Sequence, residues 1–257
     1  MSITNKKTVK EIRFYEKSHK YKLSKRTFIS VTTLISKYFE SFDGKAIARK
    51  LAKFKFNKDA KRGVRYWLKE WKGAGEHGTR VHKQLENHIL GIKDSDALEQ
   101  RDLNKIEQGK TWLYEFCRGL NKPRLFPEVV VFSEEDGIAG TIDLLIKVQS
   151  DKDPIKDEVI LVDWKTNKRI DKKGFKGKKG NHLITEDLES ANYTKYSMQL
   201  LLYKYIIENN YDLDVTKLII LHLKDDKYVP YEIEIDSYLK EKVLLIVEDN
   251  KNDIRKN

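Results

Sequence analysis

Three apolar segments follow one another in the middle of the chain and limit the folds that this sequence can adopt. Residues 128–132, 138–148 and 158–165 are rich in Val, Ile, Leu and Phe and have the length of buried strands. Residues 217–223 and 228–235 have the same character, and segments with helical spacing lie before, between and after these strands. Strands and helices in this arrangement pack as a sheet covered by helices. The sequence therefore predicts an α/β fold with a central mixed β-sheet flanked by helices.

The first 75 residues are predicted to form a hairpin and a basic helical arch. Residues 11–15 and 20–24 alternate apolar and polar side chains around a polar turn, which is typical of a β-hairpin. Ser30 is placed to cap a short helix that follows this hairpin. Residues 44–73 then fit two helices with a break near residues 57–61.

Residues 76–257 are predicted to form the second unit, a core that contains the sheet. Gly73 and Gly75 are helix breakers, so we expect a new helix to begin after them and to cover residues 76–90. A second helix is expected over residues 98–120. Its inner side is predicted to carry Leu103, Ile106, Leu113 and Phe116.

Several classes of protein are excluded by composition. No run of about 18 apolar residues exists and the N-terminus is polar, so we expect neither a membrane span nor a secretory signal, and a cytoplasmic location. The one cysteine, Cys117, cannot form an internal disulfide, a four-cysteine zinc site or a cysteine-ligated iron–sulfur cluster. No Gly-x-x-x-x-Gly-Lys-Ser/Thr loop is present, so we expect no nucleotide cofactor.

The net charge of +11 is concentrated in two short segments. Residues 44–73 contain eleven lysines and arginines against two acids, and residues 164–180 contain eight against one. Basic residues interleaved with aromatic rings are typical of surfaces that bind single-stranded nucleic acid. A solvated lysine-rich helix and loop, with aromatics that only pack helices together, is the alternative. The candidate nucleic-acid-binding residues are Lys50, Lys53, Lys61, Arg62, Arg65, Trp67, Lys168 and Arg169.

Two carboxylates lie within the apolar strands. Asp143 follows a Gly-Thr pair inside the second predicted strand, and Asp163 lies near the end of the third. A buried carboxylate is unfavourable unless something compensates its charge, and a divalent cation does so economically. We expect Asp143 and Asp163 to share one hard cation, with the Trp164 carbonyl as a further oxygen ligand.

Lys165 completes this candidate site. Side chains two residues apart in a strand point to the same side, so Lys165 is expected to lie beside Asp163. Both side chains would then face the same phosphate group if one binds at this site. An ammonium there can offset the negative charge that grows on a phosphate during hydrolysis. A structural ion pair between Lys165 and either aspartate is the alternative.

The order of these residues resembles the PD-(D/E)XK nuclease superfamily, and within it the RecB-like exonucleases. The resemblance covers about half of the chain, because five motifs occur in order between residues 76 and 203. They are Gly78-Thr-Arg-Val-His82 with Glu86, then Glu128, Gly140-Thr-Ile-Asp143, Asp163-Trp-Lys-Thr166, and Tyr196-Ser-Met-Gln199 with Tyr203 on a helix expected over 188–209.

The resemblance implies a role for each matched residue. Asp143, Asp163 and His82 would bind Mg²⁺ or Mn²⁺, with Lys165 as the catalytic lysine. Glu128 would be a supporting acid, and the helix of Tyr196 and Gln199 would line the site. Relatives with an iron–sulfur cluster have four cysteines, which this chain lacks. It is therefore more similar to the cluster-less group that includes the mitochondrial genome-maintenance exonuclease and phage counterparts, with a restriction-endonuclease-like core.

These observations together predict a metal-dependent DNA exonuclease that threads single-stranded ends under the basic arch. A duplex or branched-DNA endonuclease of the same fold is one alternative. A catalytically inactive nucleic-acid-binding module is the other. The resemblance also implies a role in DNA repair or recombination, with a replication or recombination protein as a possible partner.

Overall fold

A mixed sheet of eight strands organises the described part of the chain. The sequence predicts the mixed sheet and seven of these strands but misses the one over Arg26–Ser30. The computed structural model describes residues 12–15, 18, 20–56, 60–93, 98–149 and 157–256, with the backbone alone at 54–56 and 60. Residue 11 of the predicted hairpin and residues 57–59 of the predicted break lie outside these ranges. The strands are β1 (Arg13–Tyr15), β2 (Lys20–Leu23), β3 (Arg26–Ser30), β4 (Arg124–Ser133), β5 (Ile138–Gln149), β6 (Asp157–Lys165), β7 (Asp214–Leu223) and β8 (Tyr228–Glu232). The helices are α1 (Val31–Ser36), α2 (Gly44–Phe56), α3 (Ala60–Leu90), α4 (Gln100–Arg118), α5 (Asn192–Asn210) and α6 (Ser237–Lys256).

The strand order is β1-β2-β3-β5-β6-β7-β8, and β4 pairs with the other edge of β5. β1, β2 and β3 form an antiparallel meander, and β3 joins the main sheet through a short parallel pairing with β5. β4, β5 and β6 are antiparallel neighbours, whereas β6 and β7 run parallel. A mixed sheet results, because the chain passes through α5 between β6 and β7.

Helices cover both faces of this sheet. One face packs against α1, α5 and α6 through residues such as Leu34, Met198 and Ile246. The other face packs against α3 and α4 through residues such as Leu85 and Trp112. The α/β class predicted from the sequence is therefore confirmed. No helix in the described ranges has the length and hydropathy needed to cross a bilayer.

α1 begins where the sequence predicts. Ser30 is its N-cap, and the Ser30 hydroxyl oxygen accepts a hydrogen bond from the backbone N–H of Thr33. Val31, Leu34 and Ile35 then face the core.

The predicted helix start at residue 76 is wrong. α3 runs without interruption over 31 residues, so Gly73 and Gly75 lie inside it and the predicted boundary between residues 75 and 76 falls within one helix. Each glycine disfavours a helix by only about 1 kcal/mol relative to Ala, which packing on both sides of the glycines offsets. The helix that carries the basic segment is therefore the same helix that carries His82.

α4 buries charged residues that the apolar pattern does not reveal. Leu103, predicted to face inward, is exposed, whereas Asp102 and Lys105 are buried. The Asp102 carboxylate accepts hydrogen bonds from Arg80 Nε at 2.7 Å and from the His77 ring, both on α3. Burial works against the Asp102 charge, but the Arg80 and His77 hydrogen bonds outweigh it and lower its pKa to about 2.

We expect Asp102→Asn to lower the free energy of unfolding by about 3 kcal/mol at pH 7, because Arg80 and His77 lose a buried anionic partner. The lowered pKa stabilises the fold above the ordinary value of 3.8, and this contribution disappears as pH falls toward 2. Urea unfolding of both proteins between pH 2.5 and 7 checks this. A difference that stays constant over this pH range would contradict the assigned role of the charge.

Candidate active site

The site lies where β5 and β6 separate. Their pairing ends at Leu144 and Val162, and β3 takes up the same edge of β5 at Ile138 and Ala139. Residues 140–143 lie between these two pairings. The Asp143 carboxylate accepts the backbone N–H of Trp164 at 2.9 Å, which replaces a bond of the ladder. A polar side chain thereby bridges the two strands at the point where they diverge.

Three side chains that could bind a cation meet at this point. One ligand atom each from His82, Glu128 and Asp143 lies within 4.8 Å of the others, and His82 Nδ1 is 3.6 Å from Asp143 Oδ2. α3 supplies the histidine and β5 supplies the aspartate. Glu128 lies on β4 at the position opposite Asp143, between the pairs Pro127–Leu144 and Val129–Ile142. Its φ of 49° is left-handed, a conformation that non-glycine residues seldom adopt outside functional sites.

The electrostatics of this group are those of two acids and an imidazole at close range. Burial, with repulsion from Asp143, raises the pKa of Glu128 to about 7. Burial also opposes the charges on Asp143 and His82, but their mutual attraction outweighs it, so the pKa of Asp143 is lowered and that of His82 is raised. Glu128, the second carboxylate of the group, therefore lacks a compensating positive charge. An imidazole with two carboxylates is a donor set that fits Mn²⁺ or Mg²⁺.

Asp163 borders this group and faces other partners. Its Oδ1 accepts a hydrogen bond from Gln199 Nε2 at 2.9 Å, and its Oδ2 lies 2.6 Å from Lys165 Nζ. The Lys165 ammonium also lies 4.3 Å from the centroid of the Tyr196 ring. The structure thus places Asp163, Lys165, Tyr196 and Gln199 together, beside the predicted metal ligand Asp143. The ion pair considered as an alternative is present between Lys165 and Asp163.

This ion pair keeps a positive charge at the site. Burial opposes the ammonium, but attraction to Asp163 and Asp143 outweighs it, and the pKa of Lys165 is raised. Burial likewise raises the pKa of Asp163, to about 6, despite its ammonium partner. At neutral pH the lysine is charged and most of Asp163 is ionised. Lys165 is thus a cation and a hydrogen-bond donor and cannot act as a base.

Trp164 contributes its backbone to the site and its ring to the core. The indole is buried edge-on against Trp112, with ring centroids 5.8 Å apart. Side chains alternate along the strand, so Trp164 points to the α4 face and its neighbours Asp163 and Lys165 point to the α5 face. The packing of the indole therefore fixes the backbone between these two residues.

Gly140 and Thr141 are explained by contacts with two tyrosines. A Cβ at residue 140 would lie 2.6 Å from the Tyr203 ring, so only glycine permits this packing. The Tyr203 hydroxyl donates to the Thr141 carbonyl at 2.8 Å, and the Tyr21 hydroxyl lies 2.8 Å from Thr141 Oγ1. These contacts from α5 and β2 hold the segment that leads to Asp143.

The other side of the site is held by contacts around Thr166. A Cβ at Gly78 would lie 3.0 Å from Thr166 Oγ1, so the glycine lets α3 approach the end of β6. The buried Lys105 donates to the Thr166 carbonyl at 2.8 Å, directly after Lys165. Hydropathy gave no signal for Lys105, whose hydrogen bond fixes the backbone directly after Lys165.

The predicted basic residues of the N-terminal part lie on a helical hairpin formed by α2 and α3. Lys50, Lys53, Lys61, Arg62 and Arg65 are exposed on it. From Lys61 to His82 the axis of α3 extends about 30 Å, so one rod joins the basic hairpin to the candidate site.

The aromatic residues of this hairpin pack partly on one another. Trp67, half-buried, stacks on Trp71 with centroids 6.1 Å apart and meets Tyr66 edge-on at 5.3 Å. Trp71 also contacts Phe42 in the α1–α2 loop, at 5.2 Å. Packing therefore accounts for part of the aromatic pattern, as the alternative interpretation holds, while Phe42 and Tyr66 remain exposed.

Lys168 and Arg169 lie directly after β6 and are exposed. The Arg169 carbonyl accepts Asn192 Nδ2 at 2.9 Å, and its guanidinium lies 3.7 Å from Asp171. The segment that leaves the active-site strand is therefore fixed to the start of α5 while its charges face solvent.

The group that could bind a cation differs from the predicted ligand set of His82, Asp143, Asp163 and the Trp164 carbonyl, because its third side chain is Glu128 and not Asp163. Glu128, given a supporting role from the sequence, completes the His82 and Asp143 group, whereas the Asp163 oxygens face Lys165 and Gln199. Glu128 belongs to the group because it lies opposite Asp143 in the β4–β5 register. A sequence alone does not define that register.

We expect Glu128→Gln to be more stable than the wild type in EDTA at pH 8, by about 1–2 kcal/mol. An acid whose folded pKa is raised from 4.5 to about 7 destabilises the fold increasingly as pH rises through this range, and Gln mimics the protonated form. The difference should therefore vanish at pH 4.5. With Mn²⁺ the order should reverse, because the variant loses more than about 100-fold in metal affinity. Thermal unfolding at both pH values, with and without Mn²⁺, measures both effects. An equal response of the two proteins to Mn²⁺ would exclude Glu128 as a ligand.

Comparisons with known proteins add little to this geometry. No protein-family model matches the chain, and no curated protein matches it. Among solved structures, the chain is similar to one described as "Crystal structure of SSO0001", with 16% identity over 70% of this chain and 86% of that chain, at a TM-score of 0.24. A likeness at this TM-score carries no argument about fold or function.

Proposed function

We propose that this protein is a metal-dependent deoxyribonuclease that hydrolyses phosphodiester bonds from single-stranded ends. The observation that carries the proposal is the group of His82, Glu128 and Asp143 beside a buried, charged Lys165. A cation site next to a fixed ammonium suits a reaction in which negative charge grows on a phosphate. The sequence motifs that resemble the RecB-like nucleases contain these same residues.

Mg²⁺ or Mn²⁺ would be held by His82, Glu128 and Asp143. When bound, the cation would polarise the phosphoryl oxygen and lower the pKa of a water ligand. These three residues suit a divalent cation. The raised pKa of Glu128 indicates a carboxylate whose negative charge has too little positive charge near it, and a cation would neutralise that charge. The imidazole makes Mn²⁺ more competitive than at an all-oxygen site.

Lys165 would stabilise the charge that develops on the phosphate oxygens. Asp163 holds the ammonium at 2.6 Å, and the Tyr196 ring lies against it at 4.3 Å, so its position is set before substrate arrives. Gln199 in turn holds the other oxygen of Asp163. Preorganised charge of this kind lowers the barrier, because little reorganisation is needed during the reaction.

The preference for single strands rests on the basic surface. The α2–α3 hairpin combines the exposed ring of Tyr66 with exposed basic side chains, and it continues into the helix of His82. The basic residues are Lys50, Lys53, Arg62 and Arg65. Cations that follow phosphates and rings that stack on bases bind single strands with little sequence preference. A strand end guided along this hairpin to the site would be digested from that end, and we expect this to occur in the cytoplasm.

The test uses linear single strands labelled at the 5′ or 3′ end, next to a circular single strand and a duplex. Each substrate is incubated with Mg²⁺, Mn²⁺ or EDTA. We expect metal-dependent loss of the linear strands with the circles intact, and the labelled products give the direction of digestion. Cut circles would instead show an endonuclease. Binding without cleavage in either metal would show an inactive nucleic-acid-binding module.

A further inference from the structure

A single aromatic side chain projects from the loop that leaves the active-site strand. The loop covers residues 166–191 and joins β6 to α5. Phe175 lies on a short 3₁₀ turn within it, and 75% of its surface is exposed. A lone exposed apolar side chain is ordinary on a protein surface, but a ring held on an ordered turn next to lysines is also suited to contact a ligand.

The turn does not depend on the Phe175 ring for its shape. A Cβ at Gly174 would overlap the Lys178 carbonyl, and the Gly174 N–H donates to Glu189 Oε2 at 2.7 Å. Gly177 has a φ of 72°, and Lys176 adopts a left-handed φ of 55°. Glycines, a hydrogen bond that Gly174 donates to Glu189 and a left-handed Lys176 hold the backbone, and the ring is the one large apolar group that this turn presents to solvent.

The loop is also fixed to the rest of the protein. Thr185 is fully buried, and its hydroxyl donates to the Tyr38 carbonyl at 2.6 Å. The Asn181 N–H donates to the same carbonyl at 3.2 Å, and the ring of His182 packs edge-on against Tyr38. Phe175 is therefore presented by a segment that is anchored beyond it as well as before it.

Positive charge lies next to the ring and along the same loop. Lys176 Nζ lies 5.7 Å from the centroid of Phe175, and Lys172 Nζ lies 4.8 Å from that of Tyr193 at the start of α5. Lys178 and Lys179 pair with Glu40 and Glu189, whereas Lys172, Lys173 and Lys176 form no salt bridge with any described residue. An apolar face bordered by cations matches a nucleobase bordered by its phosphates.

The same loop connects this surface to the α2–α3 hairpin. The pKa of Glu40, in the α1–α2 loop, is lowered first by its hydrogen bond with Lys178 and further by attraction to Lys50 and Lys195. Lys50 lies on α2 and Lys195 on α5. The ion pair of Lys178 with Glu40 thus links the loop after β6 to the segment that precedes α2, with Lys50 and Lys195 close enough to act on the same carboxylate.

We propose that Phe175 is a stacking residue for one base of a single-stranded nucleic acid, on the loop that leaves the active-site strand β6. This inference rests on the proposed function, because it assumes that a single strand is the substrate. The phosphates on either side of the stacked base would contact Lys172, Lys173 and Lys176. The base is held through its face, so the contact does not read its identity.

The first experiment measures the affinity for a fluorescein-labelled 20-nucleotide single strand by anisotropy, in EDTA so that no cleavage occurs. We expect Phe175→Ala to weaken binding about 5- to 100-fold and Phe175→Trp to retain it, since stacking needs an aromatic face. Leu183→Ala is the matched control, because Leu183 is 80% exposed on the same loop and has no aromatic face. An equal loss in Leu183→Ala would overturn the proposal, because it would show a general apolar contact.

The second experiment locates the base. One abasic nucleotide is moved along the strand, and affinity is measured for the wild type and for Phe175→Ala. We expect one position at which the abasic strand binds the wild type less tightly but binds Phe175→Ala no less tightly than the intact strand. Equal sensitivity of both proteins at every position overturns the stacking role while leaving the nuclease proposal intact. A wild type that neither binds nor cleaves single strands overturns both.

Discussion

Asp143→Asn is expected to reduce metal-dependent cleavage of linear single strands by roughly 10⁴-fold. When several residues act together in one site, removing one of them removes most of the rate enhancement. Asp143 shares the candidate cation site with His82 and Glu128, and its carboxylate also accepts the Trp164 N–H. Asn keeps this second role, since its carbonyl oxygen can accept the same hydrogen bond. Initial rates in Mg²⁺ and in Mn²⁺ measure the loss.

The control for this variant is Glu232→Gln, which removes an exposed carboxylate on the edge strand β8 and should leave the rate unchanged. In EDTA we expect Asp143→Asn to unfold at a moderately lower temperature than the wild type, because the loss of attraction to His82 outweighs the relief of repulsion with Glu128. A folded variant that keeps more than a tenth of the wild-type rate would show that Asp143 does not bind the required cation.

The sheet was predictable because its strands carry continuous apolar runs. Leu144, Leu145 and Ile146 are all buried, although neighbouring residues of a strand point to opposite faces of the sheet. A strand covered on both faces is the element that buries such a continuous apolar run best. The same alternation rule placed Asp163 and Lys165 on one side, where the structure finds them 2.6 Å apart. Local periodicity is thus informative wherever both faces of a strand are covered.

Helix boundaries and buried charges were less predictable. α3 continues through Gly73 and Gly75, because the cost of a glycine in a helix is small compared with the packing of a long helix. On α4, Asp102 is buried because Arg80 and His77 of another helix compensate its charge. A pattern that equates polar with exposed cannot anticipate a partner 22 residues away.

The metal group shows the same limit at the site. His82 and Asp143 belong to motifs that can be recognised in sequence, but Glu128 joins them through the β4–β5 register and a left-handed backbone. Both are properties of the folded sheet. Phe175 left a weaker signal, as the aromatic residue of the glycine-flanked segment Gly174-Phe-Lys-Gly177 within a run of lysines.

Lys165 allows catalysis to be separated from binding. Its ammonium is held by Asp163 and by the Tyr196 ring, so its loss should remove charge stabilisation without removing a side chain of the candidate cation site of His82, Glu128 and Asp143. Without the ammonium, Asp163 loses its compensating cation and its pKa, already raised by burial, should rise further. Asp163 would then be protonated and neutral at pH 7. The variant would therefore not contain an unpaired buried carboxylate that destabilises the fold.

We therefore expect Lys165→Met to lower kcat by about 10²- to 10³-fold, the range found when one preorganised donor is removed from a transition state. Affinity for a single strand in EDTA should stay within about twofold of the wild type, and affinity for Mn²⁺ should not fall, because the variant loses a positive charge near Asp143 and no ligand. Lys217→Met, which removes an exposed lysine of β7 paired with Glu232, is the matched control and should cleave normally. A Lys165→Met protein that loses Mn²⁺ or strand binding in proportion to its rate would show that the lysine supports the site's structure and does not act on the reacting phosphate.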